Sequence, residues 1–285
     1  MVYALIALGY TMVYGVLQLI NFAHGEIFMV GAYLALTAIG FLSAFSHIGP
    51  WILLPSVLLF SMAGCSLLGA IVEKVAYRPL RSSPKLTALI SSIGVSFFLQ
   101  NAVMLIYGSK EQNMPQILPA WQLDLAGVTL SLVQVIIFTV SIGLMFLLSW
   151  FVKNTLLGKA MRASAENPEA ASLVGISVGH VIQVTFVIGS ALAAVGGCLF
   201  AMNYGSINFH DGYLAGIKAF TAAVFGGIGS IPGAMIGGLF LGVFEGMGAG
   251  YISSEWKDVF AFLLLIAVLF FKPSGILGEN VAEKV

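Results

Sequence analysis

The sequence predicts an all-α, polytopic helical membrane protein: a single transmembrane domain over residues 1–285, with about eight transmembrane helices, to within two. Only 8% of the residues carry charge, against roughly 25% in an ordinary soluble domain. Hydrophobic residues make up 59% of the chain, and its apolar runs approach the roughly 20 residues that a spanning helix needs. A lipid bilayer is therefore the expected surrounding of this protein.

Nine apolar segments predict the helices in order. They lie at residues 1–20, 26–45, 51–72, 86–107, 128–152, 178–203, 215–229, 232–250 and 258–271. The segments 215–229 and 258–271 are short for a full span, so we expect tilted, broken or re-entrant helices there. The first segment lacks a basic region and a cleavage motif, so it is not interpreted as a signal peptide. We expect the first turns of its helix to be missing.

Positive charge in the connections predicts the orientation. The connections 73–85 and 153–177 and the tail from 272 hold nine of the 12 Lys and Arg residues, Lys284 among them. Cytoplasmic connections carry such an excess, so these three are assigned to the cytoplasmic side. The connection 108–127 is assigned to the outside. By alternation the external connections also include 46–50, 204–214 and 251–257.

Composition excludes several classes of protein. Equal numbers of acidic and basic residues, 12 of each, exclude a strongly basic nucleic-acid binder. Cys65 and Cys198 lie in apolar runs, which predicts packing rather than a disulfide, and no metal site is expected. The chain has no G-x-x-x-x-G-K-[ST] phosphate loop, so we expect ATP to be hydrolysed elsewhere.

Two series of glycines at four-residue spacing mark the segment 232–250. Residues four apart share a helix face, and small residues there let helix backbones approach closely. We predict helix packing, with a ligand groove as the alternative. The glycines are Gly229, Gly233, Gly237, Gly238, Gly242, Gly246 and Gly250.

A faint internal repeat links two interruptions of the apolar pattern. Ile-Asn-Phe at 20–22 is followed by Ala23-His24-Gly25, and Ile-Asn-Phe at 207–209 by His210-Asp211-Gly212. Corresponding interruptions in two halves are typical of transporters and point to the solute pathway. Chance identity is the alternative.

The connection 153–177 contains the signals of a short, exposed helix. Asn167 is a favoured N-cap residue, and Pro168 suits the first helical position. Glu169 places negative charge near the positive end of the helix, and Gly175 is a natural stop. An ordinary loop helix is the alternative to a functional one.

This helix carries a family resemblance. Glu169-Ala170-Ala171 followed by Gly175 resembles E-A-A-x-x-x-G, the signature of permease subunits of bacterial ATP-binding-cassette importers, although no Leu-Pro follows. Residues 14–26, 77–81, 218–234 and 272–278 resemble the high-affinity branched-chain amino-acid permeases of the LivH type. The resemblance implies a cytoplasmic coupling helix that docks on an ATPase. Its implied coupling residues are Arg162, Glu169, Ala170, Ala171 and Gly175.

The resemblance also implies the function and the partners. The chain would be a permease, not an enzyme, in the bacterial inner membrane, and would import leucine, isoleucine and valine. A second related permease would form a heterodimer with it, a periplasmic protein would bind the amino acid, and two cytoplasmic subunits would hold ATP and Mg. No cofactor is expected in this chain. Sister permeases for urea or short amides share these motifs and remain an alternative.

Polar residues in apolar segments are the candidate lining of the pathway. For each Asn or Gln the alternative is a hydrogen bond between helices. We also expect Glu245 to face the bundle interior or the partner, paired with Lys218. The candidates are Gln18, Asn21, His24, Glu26, Gln100, Asn101, Asn203, Asn208, Lys218 and Glu245.

Two other classes remain as alternatives. An intramembrane hydrolase needs a nucleophile and a base held together, for which Ser230 and His210 are the conceivable pair. His210 otherwise lies in an external connection and is expected to be solvated. A channel would not need a capped coupling helix, and the sequence contains no selectivity-filter motif.

Overall fold

The structure is a computed structural model and describes residues 1–45, 49–81, 83–125, 128–272 and 274–278. Within these ranges the chain forms 11 α-helices and four short strands. The helices are α1 (Val2–Leu17), α2 (Ala23–Phe45), α3 (Pro50–Val72), α4 (Lys85–Tyr107), α5 (Leu132–Asn154), α6 (Leu156–Glu166), α7 (Pro168–Leu173), α8 (Val178–Tyr204), α9 (Asp211–Gly226), α10 (Ile231–Tyr251) and α11 (Lys257–Phe271). The strands are β1 (Gln112–Asn113), β2 (Gln122–Leu125), β3 (Val128–Ser131) and β4 (Ser206–Ile207).

The long helices have the dimensions of membrane spans. Within the described ranges, six are long and apolar enough to cross a bilayer: α2, α3 with its continuation, α4, α5, α8 and α10. The apolar helices α1, α9 and α11 are shorter, with 16, 16 and 15 residues. The polytopic helical fold is therefore confirmed, and the number of spans agrees with about eight to within two.

Helix α8 lies at the centre of the bundle and packs against α1, α2 and α3. Small residues make these contacts close. A methyl group on Gly31 of α2 would overlap Ala194 of α8, and one on Gly69 of α3 would overlap Ser190. Helices without a hydrophobic driving force between them associate through such tight packing. By contrast, much of α4 and α5 is exposed in this chain.

The predicted segment 128–152 begins too early, because residues 128–131 are a strand. β3 pairs antiparallel with β2, forming a hairpin before α5. The helix starts where Ser131 Oγ accepts a hydrogen bond from the backbone N–H of Gln134, and Gln134 Oε1 accepts one from the N–H of Ser131. This reciprocal capping box satisfies two N–H groups that a helix start leaves free.

The predicted connection 73–85 also begins too early, because the helical segment extends beyond residue 72. Beyond α3 the helix continues through a π-helical turn, Glu73–Tyr77, and a 3₁₀ turn, Arg78–Leu80. Glu73 is buried and pairs with Arg81. A carboxylate that finds a cation eight residues further along the chain can remain inside the helical segment, so this charge does not mark a connection.

The two ends of the bundle separate the connections into the two predicted groups. Residues of the connections 73–85 and 153–177 line one cavity together with the last turn of α1, and the chain at 275–278 reaches the end of α9. At the opposite end, β1 and β4 pair, which joins the connections 108–127 and 204–214. Lys284 lies outside the described residues.

Candidate functional site

The two interruptions that carry the internal repeat have the same local geometry. Asn21 Oδ1 accepts a hydrogen bond from the N–H of Ala23, and Asn208 Oδ1 accepts one from the N–H of His210, both at 3.1 Å. The backbone carbonyl of each Asn also accepts from the residue three positions on, at 3.1 and 3.0 Å. α2 and α9 therefore start with the same asparagine turn. The repeat marks two equivalent helix starts, and this interpretation is favoured over chance.

These two helix starts meet inside the bundle. A methyl group on Gly25, in the first turn of α2, would overlap the backbone of Gly212 and Gly216 in α9. One on Gly212 would overlap the carboxylate of Glu26. Such an approach is open only to glycine, because any other residue would place a Cβ in the contact. The two breaks thus form one crossing.

A cavity of ≈ 590 Å³ lies beside this crossing. Its lining residues come from α1, the first break, α4, the second break and α9. They are Tyr10, Phe22, Ile93, Ser96, Phe97, Gln100, His210, Tyr213, Gly216 and Ile217. The wall is mainly apolar and aromatic with a few polar groups, which is the usual composition of a site for a small organic molecule.

The polar groups of the cavity are held by specific partners. Ser96 Oγ donates a hydrogen bond to Glu26 Oε1 at 3.0 Å, and Gln100 Nε2 lies 2.8 Å from His210 Nδ1. Glu26 is 1% exposed, and its Oε2 has no hydrogen-bond partner among the described residues. His210, expected to be only solvated, thus contributes to the cavity. Sequence reasoning did not select Ser96 or Tyr10, each of which lies within an apolar segment.

Only some of the candidate pathway residues come together here. Gln100 lines the cavity, Glu26 reaches it through Ser96, and His24 packs behind it, with its ring 4.7 Å from that of Tyr10. Asn21 and Asn208 form local turns just before the two helices.

The other five candidates lie elsewhere. Gln18 is exposed and ends α1 in the left-handed conformation, with φ 54°. Asn101 is exposed and donates a hydrogen bond to the carbonyl of Phe97. It does not line the cavity beside Gln100, because adjacent helical residues point in different directions. Asn203 and Glu245 line a second cavity of ≈ 430 Å³, and Lys218 pairs with Glu245.

Lys218 and Glu245 belong to a cluster of charges that joins α9, α10 and α11. Lys218 Nζ lies 2.7 Å from Glu245 Oε1 and 2.5 Å from Asp258 Oδ1. Lys257 Nζ lies 3.5 Å from the same oxygen of Glu245, and Tyr3 of α1 donates to it at 3.2 Å. The expected pairing of Lys218 with Glu245 is therefore present. The contributions of Lys257 and Asp258 were missed because, by sequence, Lys257 ends a connection and Asp258 lies at the edge of an apolar segment.

The short helix α7 forms as the capping signals predict. Asn167 Oδ1 accepts from the N–H of Ala170 at 3.0 Å, and Pro168 occupies the first turn. At the other end Gly175 has φ +86°, its N–H donates to the carbonyl of Ser172, and that of Ile176 donates to Ala171. This pair of bonds is a Schellman stop, which requires the left-handed conformation that glycine adopts readily.

The neighbouring helix α6 was not predicted. It is amphipathic, and its N-cap is Thr155, whose Oγ1 accepts a hydrogen bond from the N–H of Gly158 at 3.0 Å. Arg162 of α6 donates to the backbone carbonyl of Val152 near the end of α5. The guanidinium thus satisfies a carbonyl that the helix end leaves free.

Comparison with known proteins decides the family. Residues 1–269 match the model of the branched-chain amino acid transport system / permease component family. The chain belongs to this permease family. It is 51% identical to the permease protein BraD of Pseudomonas aeruginosa, over 99% of this chain and 94% of the relative. It is 47% identical to LivH of Salmonella typhimurium, over 99% and 93%, and 30% identical to a probable LivH of Methanocaldococcus jannaschii, over 97% and 88%. No solved structure matches.

The glycine series of the permease divides into three parts. Methyl groups on Gly233 and Gly237 would overlap α9, and one on Gly238 would overlap Ala4 of α1. A Cβ on the next three, Gly242, Gly246 and Gly250, would meet no described atom within 4 Å. The expected packing is therefore present within the chain for the first three.

Gly229 was wrongly assigned to this packing series. It lies in the turn before α10, has φ +95°, and a Cβ on it would meet no described atom within 4 Å. The positive φ explains why a glycine stands at this position.

The residues considered above for hydrolase or disulfide chemistry have other roles in the permease structure. Ser230 Oγ accepts from the N–H of Gly233 at 3.2 Å and so caps α10, whereas His210 contacts Gln100. Cys65 and Cys198 are buried free thiols. Among the described residues no group of three or more His, Cys, Asp or Glu side chains is placed to hold a metal ion.

Proposed function

We propose that this permease imports leucine, isoleucine and valine as a transmembrane subunit of an ATP-binding-cassette importer in the bacterial inner membrane. The observation that carries the proposal is the largely apolar cavity of ≈ 590 Å³ at the crossing of the two helix starts. The printed names of BraD and LivH, which are branched-chain amino acid permeases, support the same solute class.

The chemistry of the cavity suits an amino acid with an aliphatic side chain. Phe97, Ile93 and Ile217 offer an apolar wall, and burial of a Leu, Ile or Val side chain is worth about 1.5–3 kcal/mol. Ser96 and Gln100 offer polar partners for the charged end of the molecule. Urea and short amides have no group to place against the apolar wall, so the cavity favours branched-chain amino acids over that alternative.

We propose that the chain forms half of a pore with a second, related permease subunit. Two cytoplasmic ATPases would bind ATP and Mg, and a periplasmic protein would deliver the amino acid. This chain would act as a transporter subunit without enzyme activity or a cofactor of its own. The exposed surface of α7 supports an ATPase contact, because Leu173 and Val174 are 87% and 76% exposed beside Glu169. Exposed apolar side chains grouped in this way favour a protein interface.

The proposal is tested by uptake into vesicles that contain the assembled importer. Labelled leucine is offered with an excess of isoleucine, valine, phenylalanine or urea, in the presence and absence of ATP. We expect ATP-dependent uptake that isoleucine and valine suppress and urea does not. Uptake without ATP would contradict the importer mechanism, and suppression by urea alone would contradict the assigned solute.

A further inference from the structure

The end of α3 has an unusual backbone. A π-helical turn over Glu73–Tyr77 interrupts the α-helical hydrogen bonding, and Ser91 Oγ of α4 donates to the carbonyl of Ala76 inside the turn at 3.1 Å. Single π-turns inside α-helices occur frequently at functional sites. This turn lies outside the cavity described above, so its role needs a separate explanation.

Tyr77, the last residue of the π-turn, holds the first helix start. Its hydroxyl donates to Asn21 Oδ1 at 2.7 Å, and this oxygen also accepts from the N–H of Ala23. Both side chains are buried, and the Tyr77 ring packs against Phe186 of α8 with 4.9 Å between centroids. Tyr77 therefore orients the side chain that forms the turn before α2, the helix whose Gly25 forms the crossing with α9.

Arg81 connects the same turn to the cytoplasmic side of the bundle. It pairs with Glu73, the first residue of the π-turn, and donates to the carbonyl of Gly179 at 3.4 Å. Gly179 lies in the first turn of α8, which begins shortly after α7 ends at Leu173. A displacement of α7 thus reaches Arg81 through a short chain segment.

A cavity of ≈ 290 Å³ separates α7 from the π-turn. Pro168 of α7 lies on one side, and Tyr77 and Arg81 lie on the other. Close-packed interiors transmit displacement through discrete contacts and resist continuous deformation. The empty volume allows α7 to move, while the hydrogen bonds of Arg81 and Tyr77 supply the discrete contacts.

We propose that the segment 73–81 transmits movement of the coupling helix to the helix crossing, with Tyr77 as the positioning residue for Asn21. This inference rests on the proposed transport function and adds its internal connection. Movement of α7 shifts the start of α8, Arg81 shifts the π-turn, and Tyr77 shifts the asparagine turn before α2, beside the cavity.

Tyr77→Phe in the assembled importer tests this connection, because it removes one hydroxyl and keeps the buried ring. The loss of one hydrogen bond corresponds to a change of roughly fivefold. We expect the amount of leucine transported per ATP hydrolysed to fall by that factor, with an unchanged KM for leucine. A purely structural role would lower the amount of complex and leave this ratio unaltered.

Tyr107→Phe is the matched control. Tyr107 Oη lies 2.6 Å from Thr37 Oγ1, outside the connection, and its loss should leave the ratio as it is. Asn21→Ala should lower the ratio as Tyr77→Phe does, and the double variant should be no worse than the worse single variant. Equal ratios for Tyr77→Phe and Tyr107→Phe, or additive losses in the double variant, would overturn the proposal. Leucine uptake by the unaltered complex tests the proposed function separately. If that complex transports another solute, the ratio of solute transported to ATP hydrolysed is measured with that solute.

Discussion

The charge cluster around Glu245 permits a quantitative prediction. Lys218 and Glu245 are 7% and 2% exposed, and Asp258 and Lys257 balance them to a net charge of zero. Removal of one charge leaves a buried partner without its full compensation. We therefore expect Lys218→Met and Glu245→Met each to destabilise the folded permease, and the double variant to recover most of the loss.

The expected magnitude follows from the contacts that remain. Breaking a buried ion pair by removal of one partner costs about 3–5 kcal/mol. In Glu245→Met, Lys218 keeps its contact with Asp258, whose side chain is 45% exposed, so we expect about 2 kcal/mol. In the double variant Lys257 and Asp258 remain as one cation and one anion. Apolar replacement of a whole buried pair is often neutral, so we expect the double variant to lose under about 1 kcal/mol. With about 2 kcal/mol for each single variant, this corresponds to a coupling of about 3 kcal/mol.

The assay is the thermal unfolding of the purified importer in detergent, followed by loss of its size-exclusion peak. A loss of about 2 kcal/mol lowers the midpoint temperature of a chain of this size by roughly 4–8 °C. Lys110→Met is the matched control, because Lys110 is exposed after the end of α4, and its midpoint should not change. If the double variant loses the sum of the two single losses, the pair does not stabilise this bundle as a unit.

Three further predictions concern the coupling helix and the cavity. Gly175→Pro and Glu169→Lys should weaken co-purification of the ATPases while the permease stays in the membrane. Pro cannot adopt φ +86°, and Lys interacts unfavourably with the helix dipole by about 0.3–1 kcal/mol. Unaltered transport in both variants would refute the coupling assignment. Gly25→Ala should reduce leucine uptake, since the methyl group overlaps α9 at a cost of about 1–3 kcal/mol. The control Gly94→Ala, whose Cβ would meet no described atom within 4 Å, should transport normally. Equal uptake by both variants would contradict a functional crossing. Phe97→Ala should weaken discrimination of leucine against phenylalanine by roughly tenfold in competition assays, and an unchanged ratio would remove Phe97 from the solute wall.

The accuracy of the sequence predictions depends on the range of the forces involved. The caps of α7 were predicted to the residue because Asn167 and Gly175 act on groups within four positions. The boundary of α5 was missed although Ser131 and Gln134 have the spacing of a capping box, because the apolar run extends past it. The π-turn after α3 gave no local signal. It is accompanied by Asn21, Arg81 and Ser91, none of which lies within its five residues.

The sequence by itself determined the fold class, most helix positions and the short helix α7, which follow from composition, apolar length and local capping, and its motifs indicated the family. Only the tertiary structure decided that Gly25 meets Gly212, that the cavity lies beside their crossing, and that Lys218 has Asp258 as well as Glu245 for a partner. The physical reason is that hydropathy and caps act within a few residues. Partners far apart along the chain are chosen by the packing of whole helices, where one added methyl group or one unpaired charge changes the outcome.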